Sequence, residues 1–118
     1  PMLPHQLHRL AKRAGLGIGR AGTPGGNNSG DIFIAFSTAN EMPIPQLSGA
    51  RLSMEAINDE YFDPIYLAAV EAVDEAVINA MVAAEDMPTY RPASKICKAI
   101  DTDRLVELVN ADSLQRSA

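Results

Sequence analysis

The stretch DPIYLAAVEAVDEAVINAMVAAE, residues 63–85, decides how this chain folds. Asp63 followed by Pro64 is typical of a helix start, because aspartate caps free amides and proline fits the first helical turn. Apolar residues then recur at helical spacing, which predicts one helix over residues 63–85. Its alanine-rich side favours close packing on a neighbouring layer. The opposite side, which we expect to be solvated, carries Glu71, Asp74, Glu75 and Asn79.

A second helix is predicted near the start of the chain. Pro4 suits a first helical turn, and apolar residues recur at helical spacing as far as Ala14, which predicts a helix over residues 4–14. Gly15 is predicted to end this helix. Apolar residues then alternate with glycines, which predicts a strand over residues 16–19 whose glycine face is approached closely by other backbone.

Residues 22–30, GTPGGNNSG, concentrate turn-forming residue types and predict a loop. Residues 32–36, IFIAF, form an unbroken apolar run with β-branched and aromatic members. Such a run is typical of a strand that is covered on both faces, so we expect it at the centre of a sheet.

The remaining elements are short. Pro43 and Pro45 interrupt any ladder, so the chain as far as residue 58 is predicted to be a long connection. A short strand is predicted over residues 95–99, followed by a final helix capped by Asp101. The fold class is therefore α/β, with helices packed on a sheet. These strands are too few to complete a sheet, so residues 1–118 are interpreted as a single partial domain whose missing strands precede Pro1.

Composition excludes several classes of protein. Lys and Arg total 10 against 15 Asp and Glu, and a net charge of −5 has the wrong sign for binding nucleic acid. No apolar run approaches the length of a membrane span, so we expect a soluble chain with no membrane partner. Cys97 is the single cysteine, which excludes an internal disulfide and a cysteine-based zinc site. A small buried thiol is the favoured interpretation.

Two motifs suggest cofactor or metal sites but have the wrong context. Residues 17–22, GIGRAG, match the dinucleotide fingerprint, yet that motif requires a preceding strand and a following helix. We interpret the glycines as tight-packing and turn positions. His5 and His8 could share a metal, but no third ligand accompanies them at a metal-motif spacing. No cofactor and no metal are therefore expected.

Ser29 and Asp31 are the candidate catalytic residues. A glycine-rich loop would deliver a hydroxyl and a carboxylate to the start of a strand, on the same side of the backbone. The carboxylate could then orient the hydroxyl or stabilise an ammonium group. Ser-Gly-Asp is also common in ordinary turns, and the spacing alone favours that structural interpretation.

Longer stretches of sequence resemble a known family. LPHQL from Leu3, RLAKRAGLGIGR from Arg9 and SGDIFIAFSTAN from Ser29 resemble the self-processing L-aminopeptidase D-esterase family, which includes the β-peptidyl aminopeptidases. The end of the helix up to Glu85 and the segment from Asp103 are also similar, so the resemblance covers nearly the whole chain. Between residues 88 and 100 the chain departs from the threonine- and glycine-rich turn usual in the family, with Tyr90-Arg-Pro in its place.

The resemblance implies a fold and an activity. The fold would be a four-layer helix-sheet-sheet-helix sandwich, like that of N-terminal-nucleophile hydrolases and ornithine acetyltransferases. The family cleaves its own precursor, and the downstream subunit begins with the nucleophilic serine. This chain would be the C-terminal part of that subunit and would lack the nucleophile, so alone it should be inactive. The expected reaction releases N-terminal amino acids from short peptides, amides or esters through an acyl-enzyme.

The resemblance also places the site residues and partners. Ser29 falls on the second active-site serine of the family and Asp31 on its acidic partner, which reverses the order of preference given above. Expected partners are the upstream segment and α subunit of the same precursor, a small peptide or amino-acid amide, and further copies in a homo-oligomer. We expect a cytoplasmic location, with the periplasm left open. Two alternatives stay open, a non-catalytic assembly module and an acyl transferase of the ornithine acetyltransferase type.

Overall fold

The structure is a computed structural model that describes residues 1–41, 45–47 and 49–116, so Pro43 of the predicted connection lies outside the described residues. The described residues fall into two compact units, unit 1 up to residue 75 and unit 2 from residue 76 onward. The described residues contain three helices and two strands, in this order: α1 (Pro4–Arg20), α2 (Asp63–Val82), β1 (Met87–Pro88), β2 (Ile96–Cys97) and α3 (Thr102–Arg116). Short 3-10 turns occur at Pro45–Leu47 and Asp59–Tyr61.

Helix α1 begins where the sequence predicts but continues past its predicted end. Pro4 occupies the first turn, and the backbone amide of Leu3 donates to the side chain of Gln6. The predicted stop at Gly15 and the predicted strand over residues 16–19 are wrong, because the helix continues to Arg20. Glycine weakens a helix by only about 1 kcal/mol, and packing against α2 outweighs that preference here.

Within unit 1, α1 packs beside the part of α2 that ends at Glu75, and the two helices run in the same direction. Gly17 is buried, and a Cβ at this position would lie 2.7 Å from the backbone oxygen of Val70. The predicted close approach of backbone is therefore confirmed at Gly17. Three contacts follow the same order along both helices: Arg13 over the Tyr66 ring at 4.3 Å, Gly17 beside Val70, and Arg20 with Asp74 at 3.7 Å.

Helix α2 confirms the prediction made from residues 63–85, although it ends at Val82. Phe62, immediately before it, is only 2% exposed, and its ring lies 5.3 Å from that of Tyr66. On the side expected to be solvated, Glu71 is exposed, whereas Asp74 is half-buried beside Arg20.

The predicted central strand over residues 32–36 is wrong for the described part of the chain, where no residue pairs with it. A strand exists only through the hydrogen bonds of a neighbour, and the described residues supply none. The side chains nevertheless alternate in solvent exposure, as those of a strand do. Ile32 and Ile34 are 97% and 86% exposed, whereas Phe33 between them is 36% exposed.

Unit 2 contains a small hairpin followed by α3. Strands β1 and β2 pair antiparallel, with Met87 opposite Cys97, which confirms a shorter version of the strand predicted over residues 95–99. The carboxylate of Asp86 closes the hairpin by accepting from the Lys98 ammonium and from the Ala99 amide. These hydrogen bonds hold the pKa of Asp86 below its usual value. The predicted cap of the last helix is confirmed, because Asp101 Oδ1 accepts from the Arg104 amide at 2.9 Å.

The exposure of Cys97 differs from what the sequence predicts, and the fold class agrees with the prediction in part. Cys97 is exposed, so the expected buried thiol is wrong, because no described element covers this face of the two-stranded hairpin. The α/β expectation holds in part, since the described residues combine three helices with only two short strands. None of the described helices is both long enough and apolar enough to cross a bilayer.

Candidate active site

The glycine-rich loop is shaped by two glycines and one turn. Gly22 and Gly25 have φ angles of 91° and 63°, a region that disfavours every residue with a Cβ. The backbone amide of Ser29 donates to the carbonyl of Gly26 at 2.8 Å, which closes a turn around Asn27 and Asn28. The loop thus presents Ser29 at the end of a defined turn.

Ser29 and Asp31 lie in a segment without helix or strand, and both are exposed. Within the described part of the chain, neither side chain makes a hydrogen bond or an ion pair. The structure therefore leaves a hydroxyl and a carboxylate two residues apart and open to other groups. Their assignment as catalytic residues stays a prediction.

The segment that follows packs on α1 and α2. Phe33 lies 3.7 Å from where a Cβ on Gly15 would stand. An apolar cavity of about 400 Å³ lies between the two helices and this segment, and a second of about 320 Å³ adjoins Pro4 and His8. Neither Ser29 nor Asp31 lines these two cavities. The residues around the larger cavity are Leu10, Ala11, Ala14, Ile32, Phe33, Ile34, Ala35, Ala69, Ala72 and Val73.

Asn40 joins the end of this segment to a distant part of the chain. Its Nδ2 donates to the carbonyl of Glu55 at 2.9 Å, and its Oδ1 accepts from the amide of the same residue at 2.9 Å. A side-chain amide that pairs with both backbone groups of one residue reproduces the pattern of a paired strand. Asn40 is not among the candidate residues predicted from the sequence.

Gln6 is the buried polar centre of unit 1, at 3% exposure. Its Oε1 accepts from the Leu3 amide at 2.9 Å, and its Nε2 donates to the Ile57 carbonyl at 2.8 Å and to Asp59 Oδ1 at 2.6 Å. Arg9 pairs with the other oxygen of Asp59 at 3.0 Å. The hydrogen bond from Gln6, supported by Arg9, lowers the pKa of Asp59.

Gln6 is also not among the candidate residues predicted from the sequence, although a local capping pattern marks it. Pro4 at a helix start with glutamine two residues later resembles a capping box, in which the third helical residue reaches back to the cap amide. The two bonds to Ile57 and Asp59 span 51 and 53 residues, and no local pattern predicts such contacts.

Replacing Gln6 by leucine should destabilise the complete protein by about 1–2 kcal/mol, because the partly buried Ile57 carbonyl and the Asp59 carboxylate lose their donor. Folding lowers the pKa of Asp59, so the ionised carboxylate contributes to the stability of the folded protein above the pKa of the unfolded chain, about 3.9. This contribution is lost as pH falls through the pKa of the folded protein. The difference between variant and wild type should therefore shrink below about pH 4. Urea unfolding between pH 3 and 7 measures it, with Gln46→Leu as the exposed control. Equal losses in the two variants would contradict this role of Gln6.

The two motifs considered for cofactors and metals have ordinary structural positions. Residues 17–22 cover the end of α1, so the dinucleotide context is absent, and the interpretation as packing and turn positions is confirmed at Gly17 and Gly22. His5 and His8 are exposed on α1. No group of three or more potential metal ligands occurs among the residues that the structure describes.

Known proteins resemble this chain in sequence and in fold. The family model described as Peptidase family S58 matches residues 1–94. The β-peptidyl aminopeptidase BapA of Sphingosinicella microcystinivorans is 49% identical over 87 residues, which are 74% of this chain and 22% of that protein.

Solved structures give the same result. The L-aminopeptidase D-Ala-esterase/amidase of Ochrobactrum anthropi, described as a prototype of the serine aminopeptidases and a variant of the Ntn hydrolase fold, matches with a TM-score of 0.88 and 56% identity. The match covers 96% of this chain and 31% of that one. A β-aminopeptidase from a Burkholderia species matches with a TM-score of 0.81 and 35% identity, over 94% of this chain and 32% of that one. The chain thus spans between about a fifth and a third of the length of these relatives.

Proposed function

The chain belongs to peptidase family S58, and we propose from this membership that it forms part of a self-processing serine aminopeptidase. The reaction is hydrolysis of an N-terminal amino acid from a short peptide, amide or ester. The observation that carries the proposal is the agreement in sequence and fold, over nearly the whole chain, with the serine aminopeptidase of Ochrobactrum anthropi.

Within that enzyme, the 118 residues make up the C-terminal part of the subunit that bears the nucleophile. The segment of residues 32–36 supports this placement, because it alternates in exposure like a strand and leaves Ile32 and Ile34 uncovered. Strands from the rest of the precursor would pair with it in a four-layer sandwich. The expected partners are therefore the upstream segment and the α subunit, and further copies of the assembled pair.

The proposed chemistry gives each candidate residue one role. The hydroxyl oxygen of an N-terminal serine, from outside this chain, bonds to the substrate carbonyl carbon while its proton passes to the free amine of the same residue. The carbon–nitrogen bond then breaks, the leaving amine takes up the proton, and water hydrolyses the acyl-enzyme. Ser29 passes protons between these groups, and Asp31 orients Ser29 or stabilises the ammonium. Both side chains are free of other partners among the described residues, as these roles require.

The test is to produce the complete precursor, determine the mass and N-terminus of every chain, and assay hydrolysis of amino-acid amides. The proposal expects two chains, a serine at the new N-terminus and turnover of the amide. An unprocessed protein without turnover would favour the non-catalytic assembly module. A threonine terminus with acyl transfer in place of hydrolysis would favour the acyl transferase.

Replacing Asp31 by asparagine should lower kcat about tenfold to hundredfold, because an amide keeps the shape but cannot stabilise an ammonium group. Stability should change little, since Asp31 is exposed and has no ion pair among the described residues. The matched control is Asp103→Asn, which removes the same charge from an exposed position on α3. Equal kcat values for Asp31→Asn and the control would contradict the assignment.

A cytoplasmic location belongs to the same proposal. Its support is the single cysteine of the chain, which is compatible with a reducing compartment. Fractionation of cells that express the complete protein tests it.

A further inference from the structure

The segment that carries Ser29 and Asp31 is held to the rest of unit 1 in two different ways. Phe33 packs beside Gly15 on α1, an apolar contact. Such contacts are non-directional, so they favour burial of one face without fixing the position of the segment along its own length. Hydrogen bonds are directional and do fix that position.

Asn40 supplies the directional attachment. Residues 31–40 form no ladder, and among the described residues their hydrogen bonds to distant parts of the chain are the two between the Asn40 amide and the Glu55 backbone. Both measure 2.9 Å, and Asn40 is half-buried.

The attachment continues into the buried centre of unit 1. Two residues after Glu55, the carbonyl of Ile57 accepts from Gln6 Nε2, and the amide of Ile57 donates to the Pro1 carbonyl. Gln6 is part of α1. A continuous path of hydrogen bonds and backbone therefore leads from α1 through residues 55–57 to Asn40.

We propose that Asn40 is a positioning residue for the active site, which sets the place of Ser29 and Asp31 by fixing the far end of their segment to the Glu55 backbone. This inference rests on the proposed function. Asn40 itself contacts neither the substrate nor a reacting atom in the proposed mechanism. It acts through the segment, whose displacement by about 1 Å is enough to cost about a hundredfold in rate.

The first test replaces Asn40 by alanine in the complete, processed enzyme. The expected result is a loss of about tenfold to hundredfold in kcat, with KM close to its wild-type value and only a small drop in melting temperature, because two hydrogen bonds of a half-buried amide are lost. Rates are counted per processed enzyme, with processing measured by intact mass. The matched controls are Asn79→Ala, at an exposed position on α2, and Glu55→Ala, which leaves the backbone groups of residue 55 in place. Both controls should keep wild-type kcat.

A second variant, Asn40→Asp, tests the pH dependence of activity, which should not change if Asn40 has a purely structural role. The aspartate can accept from the Glu55 amide, but when ionised it places an oxygen against the Glu55 carbonyl. Protonation restores a donor there. The ratio of Asn40→Asp activity to wild-type activity should therefore rise as pH falls through the carboxyl pKa, while the ratio for Asn40→Ala stays flat.

The outcomes separate this inference from the function on which it rests. Wild-type enzyme without aminopeptidase activity would overturn the proposed function. An active wild type, a severe loss in Ser29→Ala and normal kcat in Asn40→Ala would overturn the role of Asn40 alone. Failure of both Asn40 variants to accumulate as folded protein would overturn it too, because Asn40 would then support stability in place of site geometry.

Discussion

Replacing Ser29 by alanine in the complete, processed enzyme should lower kcat on an amino-acid amide by about 10²–10⁴-fold, the usual contribution of a positioned proton-transfer group. Alanine keeps the Cβ and removes only the hydroxyl. The backbone amide of residue 29 keeps its bond to Gly26, so the turn survives. The loss should therefore appear in kcat more than in KM.

Stability separates a catalytic role from a structural one at this position. Ser29 is exposed, and its hydroxyl has no hydrogen-bond partner among the described residues. Removal of such a group usually changes stability by less than about 0.5 kcal/mol. The melting temperature should stay at its wild-type value while activity falls.

Ser53→Ala is the matched control, because Ser53 is exposed and lies outside the candidate site. It should keep both wild-type kcat and wild-type stability. The assignment of Ser29 is wrong if Ser29→Ala and Ser53→Ala turn over the amide at the same rate.

The helices were predictable because their signals are local. The helix start at Pro4, the apolar spacing of α2 and the cap at Asp101 all lie within a few residues of the element they define. The glycines of residues 15–19 predict the end of the helix, because glycine locally disfavours a helix. The contact that makes glycine necessary, between Gly17 and Val70, comes from a residue 53 positions away.

The difference between local signals and distant contacts also explains which residues of the candidate site the sequence predicts. Ser29 and Asp31 followed from the resemblance, since spacing alone favoured an ordinary turn. Asn40 and Gln6 could not be found from the sequence, because their partners lie at Glu55, 15 residues on, and at Ile57, 51 residues on. The unbroken apolar run of residues 32–36 predicts a strand, but a ladder also needs a partner, and the described residues contain none.

Replacing Gly17 by alanine should destabilise the protein by up to about 2 kcal/mol, although alanine normally stabilises a helix. The added methyl would lie 2.7 Å from the Val70 carbonyl oxygen and 2.7 Å from the Val73 Cβ. One is a backbone atom and the other is bonded directly to the backbone, so neither can rotate away. One helix must therefore move away from the other. Overpacking of this kind costs about 1–3 kcal/mol or more, whereas the gain in helix propensity is about 1 kcal/mol.

The neighbouring glycine gives a control with the opposite sign. A methyl on Gly19 would meet no atom within 4 Å, so Gly19→Ala adds helix propensity without a clash and should stabilise the protein by up to about 1 kcal/mol. Urea unfolding of the complete protein should therefore move the midpoint down for Gly17→Ala and slightly up for Gly19→Ala. Equal shifts would show that α1 and α2 do not meet at Gly17. Opposite shifts would establish that the glycine-rich sequence serves helix contact, which explains how a run that locally favours a strand continues as a helix.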